Sequence, residues 1–299
     1  MTTTTIAVLG AGTMGHGIAH AAMAGGFETR LYDVAPAALD RARAAIEGIV
    51  AKAVELGKLA RPEADAVLGR LRTTASLEEA VGGAGFVIEA APERIDLKID
   101  LLRRIEALVP PRAVMASNTS ALSITEIAGA LNDPSRVAGM HFFNPVHKMK
   151  LVEIVQALES APATLEAIEE VARRMGKETV LVRESPGFIT SRVNAMIGNE
   201  AFYMLQEGVA SARDIDKALK LGLNHPMGPF ELVDLVGLDT RLSVLEFLHK
   251  SMGEKYRPCP LLVQYVRAGR LGRKVGRGVY EYEGSGFPPS RESATADPP

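Results

Sequence analysis

The stretch Thr5-Ile6-Ala7-Val8-Leu9-Gly10-Ala11-Gly12-Thr13-Met14-Gly15 runs from β-branched and apolar residues into three glycines with the spacing G-x-G-x-x-G. That spacing has meaning only between a strand and a helix, and residues 5–10 read as a strand while 14–24 read as a helix. Gly10 permits the tight turn, Gly12 lets backbone approach a pyrophosphate, and Gly15 allows close packing of helix on strand. The N–H groups around Ala11, Thr13 and Met14 would then point at the anion. Asp33 ends the next strand-like run, 28–33, where a carboxylate accepts hydrogen bonds from a free ribose 2′-hydroxyl and repels a 2′-phosphate. The expectation is a dinucleotide site favouring NAD over NADP, although Arg30 and Arg41 are near enough in sequence to meet a phosphate.

Outward from this turn, further strand-like runs at 85–90, 113–117 and 136–141 alternate with segments of helical period at 36–58, 94–108 and 124–131. Strand–helix alternation of this kind predicts a parallel sheet covered by helices. Two more strand-like runs, 150–156 and 178–182, extend the sheet at its edge before Ser185-Pro186-Gly187 interrupts the pattern. Beyond it β-type runs nearly vanish, and 188–206, 211–221, 230–236, 240–250 and 259–268 favour helix. Ser211 with Asp214 three residues on resembles a capping box. The fold expected is α/β: a Rossmann-type, mostly parallel sheet domain over 1–184, followed by an all-helical domain over 185–283. Residues 284–299, rich in Pro, Ser, Gly and Asp, are expected to be a disordered tail.

Composition narrows the function classes. A chain of 299 residues that is 47% hydrophobic can bury two cores. Its 34 basic and 36 acidic residues leave a net charge of -2, without the basic excess that drives nucleic-acid binding. The single cysteine, Cys259, precludes an intrachain disulfide and fits a reducing compartment, so the cytoplasm is expected. No signal peptide or apolar run of membrane-spanning length is read, and no metal is expected.

Among six histidines, His141 stands out because it ends a strand of the predicted sheet, where open α/β sheets meet their ligands. Twelve residues on, Glu153 interrupts the apolar run Leu151-Val152-Glu153-Ile154-Val155. Oxidation of an alcohol needs a base for the hydroxyl proton, and imidazole oriented by a buried carboxylate suits that task near neutral pH. On the residues alone, a core or capping histidine beside an edge-strand acid is an equal reading. The polar run Ser117-Asn118-Thr119-Ser120, directly after a strand, would lie at the nicotinamide rim, although such residues are common in any turn.

Together these motifs closely resemble the 3-hydroxyacyl-CoA dehydrogenase family, particularly its short-chain, 3-hydroxybutyryl-CoA members. The likeness spans residues 6 to about 282 and rests on the glycine turn, Ile88-Glu89-Ala90-Ala91-Pro92-Glu93, the 117–120 run, His141 to Pro145, Met149 to Ile154, Ser185 to Arg192, His225 to Leu232 and Gly272 to Tyr282. The resemblance implies a dehydrogenase of an acyl-CoA thioester that forms a homodimer through its helical domain. His141 would be the general base, oriented by Glu153, and Ser120 would bond the substrate's 3-oxygen. Ser120 and Asn144 would lie beside the nicotinamide, Glu93, Lys98 and Lys274 would contact the cofactor, and Lys52 would meet the coenzyme A phosphates. Fatty-acid breakdown and butyrate synthesis would both fit. The family often carries Asn where this chain has Ser191, and no role is carried onto that serine. Two other readings remain: a dehydrogenase of a free hydroxy acid such as L-gulonate, against which Asn118 speaks, and a non-catalytic NAD-binding protein of the crystallin kind.

Overall fold

The computed structural model describes residues 5–282, so the expected tail at 284–299 lies outside the described residues. In chain order the elements of the first unit are β1 (Thr5–Leu9), α1 (Thr13–Ala24), β2 (Glu28–Tyr32), α2 (Pro36–Glu55), α3 (Arg61–Gly69), β3 (Leu71–Thr74), α4 (Leu77–Val81) and β4 (Phe86–Glu89). They continue as α5 (Ile95–Glu106), β5 (Val114–Ser117), α6 (Ile124–Gly129), β6 (Val137–Phe142), β7 (Leu151–Gln156), α7 (Pro162–Arg174) and β8 (Glu178–Arg183). The eight strands form one sheet in the order β3-β2-β1-β4-β5-β6-β7-β8. Its first six strands are parallel and in the order of a Rossmann fold, with the switch point between β1 and β4. β7 runs antiparallel to β6, and β8 returns parallel to β7.

β4, β5 and β6 are buried along their whole length, as expected of strands covered on both faces. Alternation along β1 sends Ile6 and Val8 into a core shared with α1, α2 and α7, and Ala7 and Leu9 into a second core with α4, α5 and α6. One compact unit ends at Phe188 and the next begins at Ile189. The second contains α8 (Thr190–Gln206), α9 (Ala212–Gly222), α10 (Pro229–Val236), α11 (Leu238–Met252) and α12 (Pro260–Arg267). Its core gathers Phe202, Phe230, Leu245 and Tyr256, with the Phe202 and Phe230 rings edge to face at 5.2 Å. Buried Asp234 accepts hydrogen bonds from the backbone of Val279 and Tyr280 and from the Tyr282 hydroxyl, which fastens the last described segment onto that core.

The sheet followed by a helical domain agrees with the sequence reading, and so does the Ser211 cap, whose hydroxyl accepts from the Asp214 N–H at 3.2 Å. Four elements were not expected. α3, β3 and α4 fill residues 61–81, where the short Leu-Arg-Thr-Thr strand lacks an apolar run. α7 supplies the crossover that a parallel β7–β8 pair requires. Several expected helices are shorter; of these, α2 stops before Gly57, which has φ +66°, and α8 begins after Phe188, which has φ +50°. Left-handed backbone ends a helix, so neither residue can continue one.

Candidate active site

The three glycines do three different things. Gly10 has φ +104°, and a Cβ there would lie 2.5 Å from the Ala90 carbonyl oxygen at the end of β4. A Cβ on Gly15 would meet the Gly10 carbonyl at 1.7 Å, so this residue lets α1 start hard against the turn. A Cβ on Gly12 would have nothing within 4 Å. Packing within the protein therefore does not demand Gly12; an approaching pyrophosphate would. No side chain caps α1 at Gly12, and its first turn carries no acid, so the N–H groups of Thr13 and Met14 face an end of the helix suited to an anion. Asp33 stands across the turn: Oδ2 accepts from the Ala11 N–H at 2.8 Å and Oδ1 from the Ala35 N–H at 2.9 Å. Those bonds hold the carboxylate at the carboxyl end of β2 with lone pairs left for a diol. The residues present thus fit a dinucleotide.

His141 and Glu153 lie directly opposite each other on β6 and β7. Nδ1 of His141 is 2.7 Å from Oε2 of Glu153, with His141 4% exposed and Glu153 fully buried. A carboxylate only accepts, so Nδ1 carries a proton, and in the neutral imidazole the lone pair is then on Nε2. β7 is covered by β8, with Glu153 beside Val180, which removes the alternative of an edge-strand acid facing solvent. Phe143 and Phe188 flank the imidazole at ring-centroid distances of 4.6 and 5.7 Å. The other histidines offer less. His20 is pushed down to about 4, by burial first and then by His147 and Lys177, which makes it a weak base for chemistry at neutral pH. His249 pairs with Glu254 at 3.0 Å, because a short turn after α11 folds Glu254 back toward it.

The 117–120 loop is drawn to both neighbours. Ser117 pairs with Glu89 of β4 and Gly139 of β6 in the sheet register. The Asn118 carboxamide oxygen accepts from the Phe142 N–H at 2.9 Å, next to His141. Glu93 accepts from the Thr119 hydroxyl at 2.6 Å and from the Ser120 N–H at 2.9 Å, leaving Ser120 exposed on the rim. Lys98 is not the surface charge that a helix position suggests. It is 1% exposed, its Nζ 2.7 Å from Glu89 and 3.4 Å from Glu93. Asn144 follows β6 immediately before Pro145. Lys52 is an exposed helix residue paired with Glu55 at 2.8 Å. In the second unit Lys274 sits 2.6 Å from both oxygens of Asp239. Glu89 had been given no role, although an acid ending an apolar strand is the same kind of signal that marks Glu153.

A buried imidazole with one nitrogen free, in a sheet that opens on a dinucleotide turn, suits alcohol oxidation; fold and site together define a nicotinamide-dependent dehydrogenase. Comparison with known proteins narrows the class. Residues 5–185 match the model of the 3-hydroxyacyl-CoA dehydrogenase NAD binding domain, and residues 187–282 match that of the 3-hydroxyacyl-CoA dehydrogenase C-terminal domain. The chain belongs to the 3-hydroxyacyl-CoA dehydrogenase family, and NAD is its cofactor.

A probable 3-hydroxybutyryl-CoA dehydrogenase of Bacillus subtilis is 47% identical over 279 residues, covering 93% of this chain and 97% of the relative. A 3-hydroxybutyryl-CoA dehydrogenase of Bradyrhizobium diazoefficiens is 42% identical, covering 96% and 98%. The solved structure of (S)-3-hydroxybutyryl-CoA dehydrogenase from Ralstonia eutropha superposes with a TM-score of 0.92 at 40% identity, covering 95% of this chain and all of that one. No helix among the described residues is long and apolar enough to cross a membrane.

Proposed function

We propose that this enzyme interconverts L-3-hydroxyacyl-CoA and 3-oxoacyl-CoA thioesters of short chain, 3-hydroxybutyryl-CoA foremost, with His141 as general base. The observation that carries the reading is the buried His141–Glu153 pair at 2.7 Å, in the same sheet as the glycine turn. In the oxidative direction Nε2 of His141 takes the proton of the 3-hydroxyl. Glu153 holds the ring in the tautomer that can do so and offsets the charge of the imidazolium that forms. Bound NAD supplies the hydride acceptor. In the reductive direction the imidazolium returns its proton to the 3-oxo oxygen. Ser120, with its backbone held by Glu93, presents a hydroxyl to that oxygen, and Asn144 would lie beside a bound nicotinamide. Phe143 and Phe188 keep water from the imidazole. Exposed Leu221, Leu223, Leu235 and Val236 on the second unit support a homodimer formed through that unit.

The test is NADH oxidation followed by absorbance at neutral pH with acetoacetyl-CoA, beside free acetoacetate and beside NADPH. Turnover with the thioester and NADH alone is expected. Turnover of the free acid at a comparable rate would defeat the thioester assignment.

Asp33 is proposed to read the ribose. Asp33→Ala removes a charged acceptor and the tie to Ala11, and is expected to raise the Kd of NADH by about tenfold or more while that of NADPH rises less. Fluorescence titration with the two nucleotides checks it, and the opposite ranking would place ribose recognition elsewhere.

A further inference from the structure

Besides the imidazole pair, the first unit buries a second set of charges. Glu89, fully buried at the end of β4, uses both oxygens. Oε1 accepts from the Lys98 ammonium at 2.7 Å and the Ala91 N–H at 2.6 Å, and Oε2 accepts from the Ser117 hydroxyl at 2.5 Å. Lys98 also donates to the Ala91 carbonyl at 3.2 Å and approaches Glu93 at 3.4 Å. Glu93 in turn holds the Thr119 hydroxyl and the Ser120 N–H, and the Thr119 oxygen accepts from the Leu122 N–H at 2.9 Å. One carboxylate is thus joined to two segments. The first is the turn after β4, whose Ala90 carbonyl closes on Gly10; the second is the loop after β5 that carries Ser120.

A buried ion pair gives little stability beyond that of an apolar pair of equal volume, so stability alone does not account for Glu89 and Lys98. What such a pair does provide is fixed geometry. Glu93 has a side chain 44% exposed and needs an anchor if it is to hold Ser120, whereas Lys98 is 1% exposed and lies 2.7 Å from Glu89.

We propose that Glu89 is a positioning residue for the dehydrogenase reaction. Its carboxylate sets the turn beside Gly10 directly, and sets the 117–122 loop through Ser117 and through the relay Lys98–Glu93. The consequence for catalysis rests on the reading that Ser120 meets the substrate; the coupling itself does not.

The experiment is amide hydrogen exchange on the ligand-free full chain, read by mass spectrometry, in Glu89→Gln and in Glu89→Gln/Lys98→Met. The single variant keeps the shape of the side chain and removes the charge that balances Lys98. The double variant removes both charges, so that no lone ammonium remains buried and thermal stability returns toward wild type. Exchange at Ser120 to Leu122 is expected to speed up by about tenfold or more in the double variant, and in the single variant if it folds, while β6 amides keep their protection. In both, kcat with acetoacetyl-CoA is expected to fall by about tenfold or more, because small misplacement of a group that meets the substrate is costly. Wild-type exchange at Ser120 to Leu122 in a stable double variant would reduce Glu89 and Lys98 to a structural pair and overturn the proposal. Faster loop exchange in an enzyme whose wild type ignores acetoacetyl-CoA would keep the coupling and reject the substrate reading instead.

Discussion

His141→Gln is expected to lower kcat by ~10²- to 10⁴-fold, the range that general acid–base catalysis typically supplies, with NADH affinity changed by less than about threefold. The glutamine amide can still donate to Glu153 across the strands, so the buried carboxylate keeps a partner and the sheet keeps its register. It offers no basic nitrogen to the 3-hydroxyl. Steady-state rates with acetoacetyl-CoA and NADH, set beside a fluorescence titration of NADH, separate the chemical step from cofactor binding. A kcat within tenfold of wild type would remove His141 from the mechanism.

Glu153→Gln is expected to cost about 10²-fold or more in kcat, through either orientation that the amide can take. With its NH₂ toward Nδ1, it forces the proton onto Nε2 and leaves the ring unable to act as base. With its carbonyl toward Nδ1, the useful tautomer survives, but the imidazolium forms beside a neutral group in a fully buried site. The volume is unchanged, so NADH affinity and the thermal midpoint should move far less than kcat. Equal losses in all three would mean that Glu153 supports the strand pairing and nothing more.

Much of the fold was legible because its signals are local. The run from Thr5 to Gly15 contains strand, turn and helix start within one stretch, and Asp33 follows at the end of the next strand. His141 and Glu153 were each visible as a polar residue in an apolar strand. Their facing one another was not, because it depends on β7 running antiparallel to β6 and on β8 covering β7. Glu89 was hidden for a related reason: its partner Ser117 is 28 residues away and reaches it only through the β4–β5 register. Lys98, on α5, was placed at the cofactor by the resemblance alone, since nothing in Ile95-Asp96-Leu97-Lys98 announces that its stem points inward under two carboxylates. α7 was recoverable, for Leu165, Ile168, Val171 and Ala172 have helical spacing and a parallel strand pair needs a crossover. β3 was not, with Leu71 as its one apolar residue.

The dyad has its separation built into the backbone. His141 and Glu153 are opposed by the hydrogen-bond ladder of β6 and β7, so the 2.7 Å contact does not wait on a loop finding its place. A slip of that pairing by one residue would present Val152 or Ile154 to His141 and turn the carboxylate to the other face of the sheet. Molecules assembled with the wrong register would keep the imidazole of His141 without its carboxylate and, as in Glu153→Gln, would turn over more slowly by about 10²-fold or more. Activity recovered after refolding therefore counts correctly assembled molecules, each turning over at full speed, and does not grade a continuum of half-formed sites.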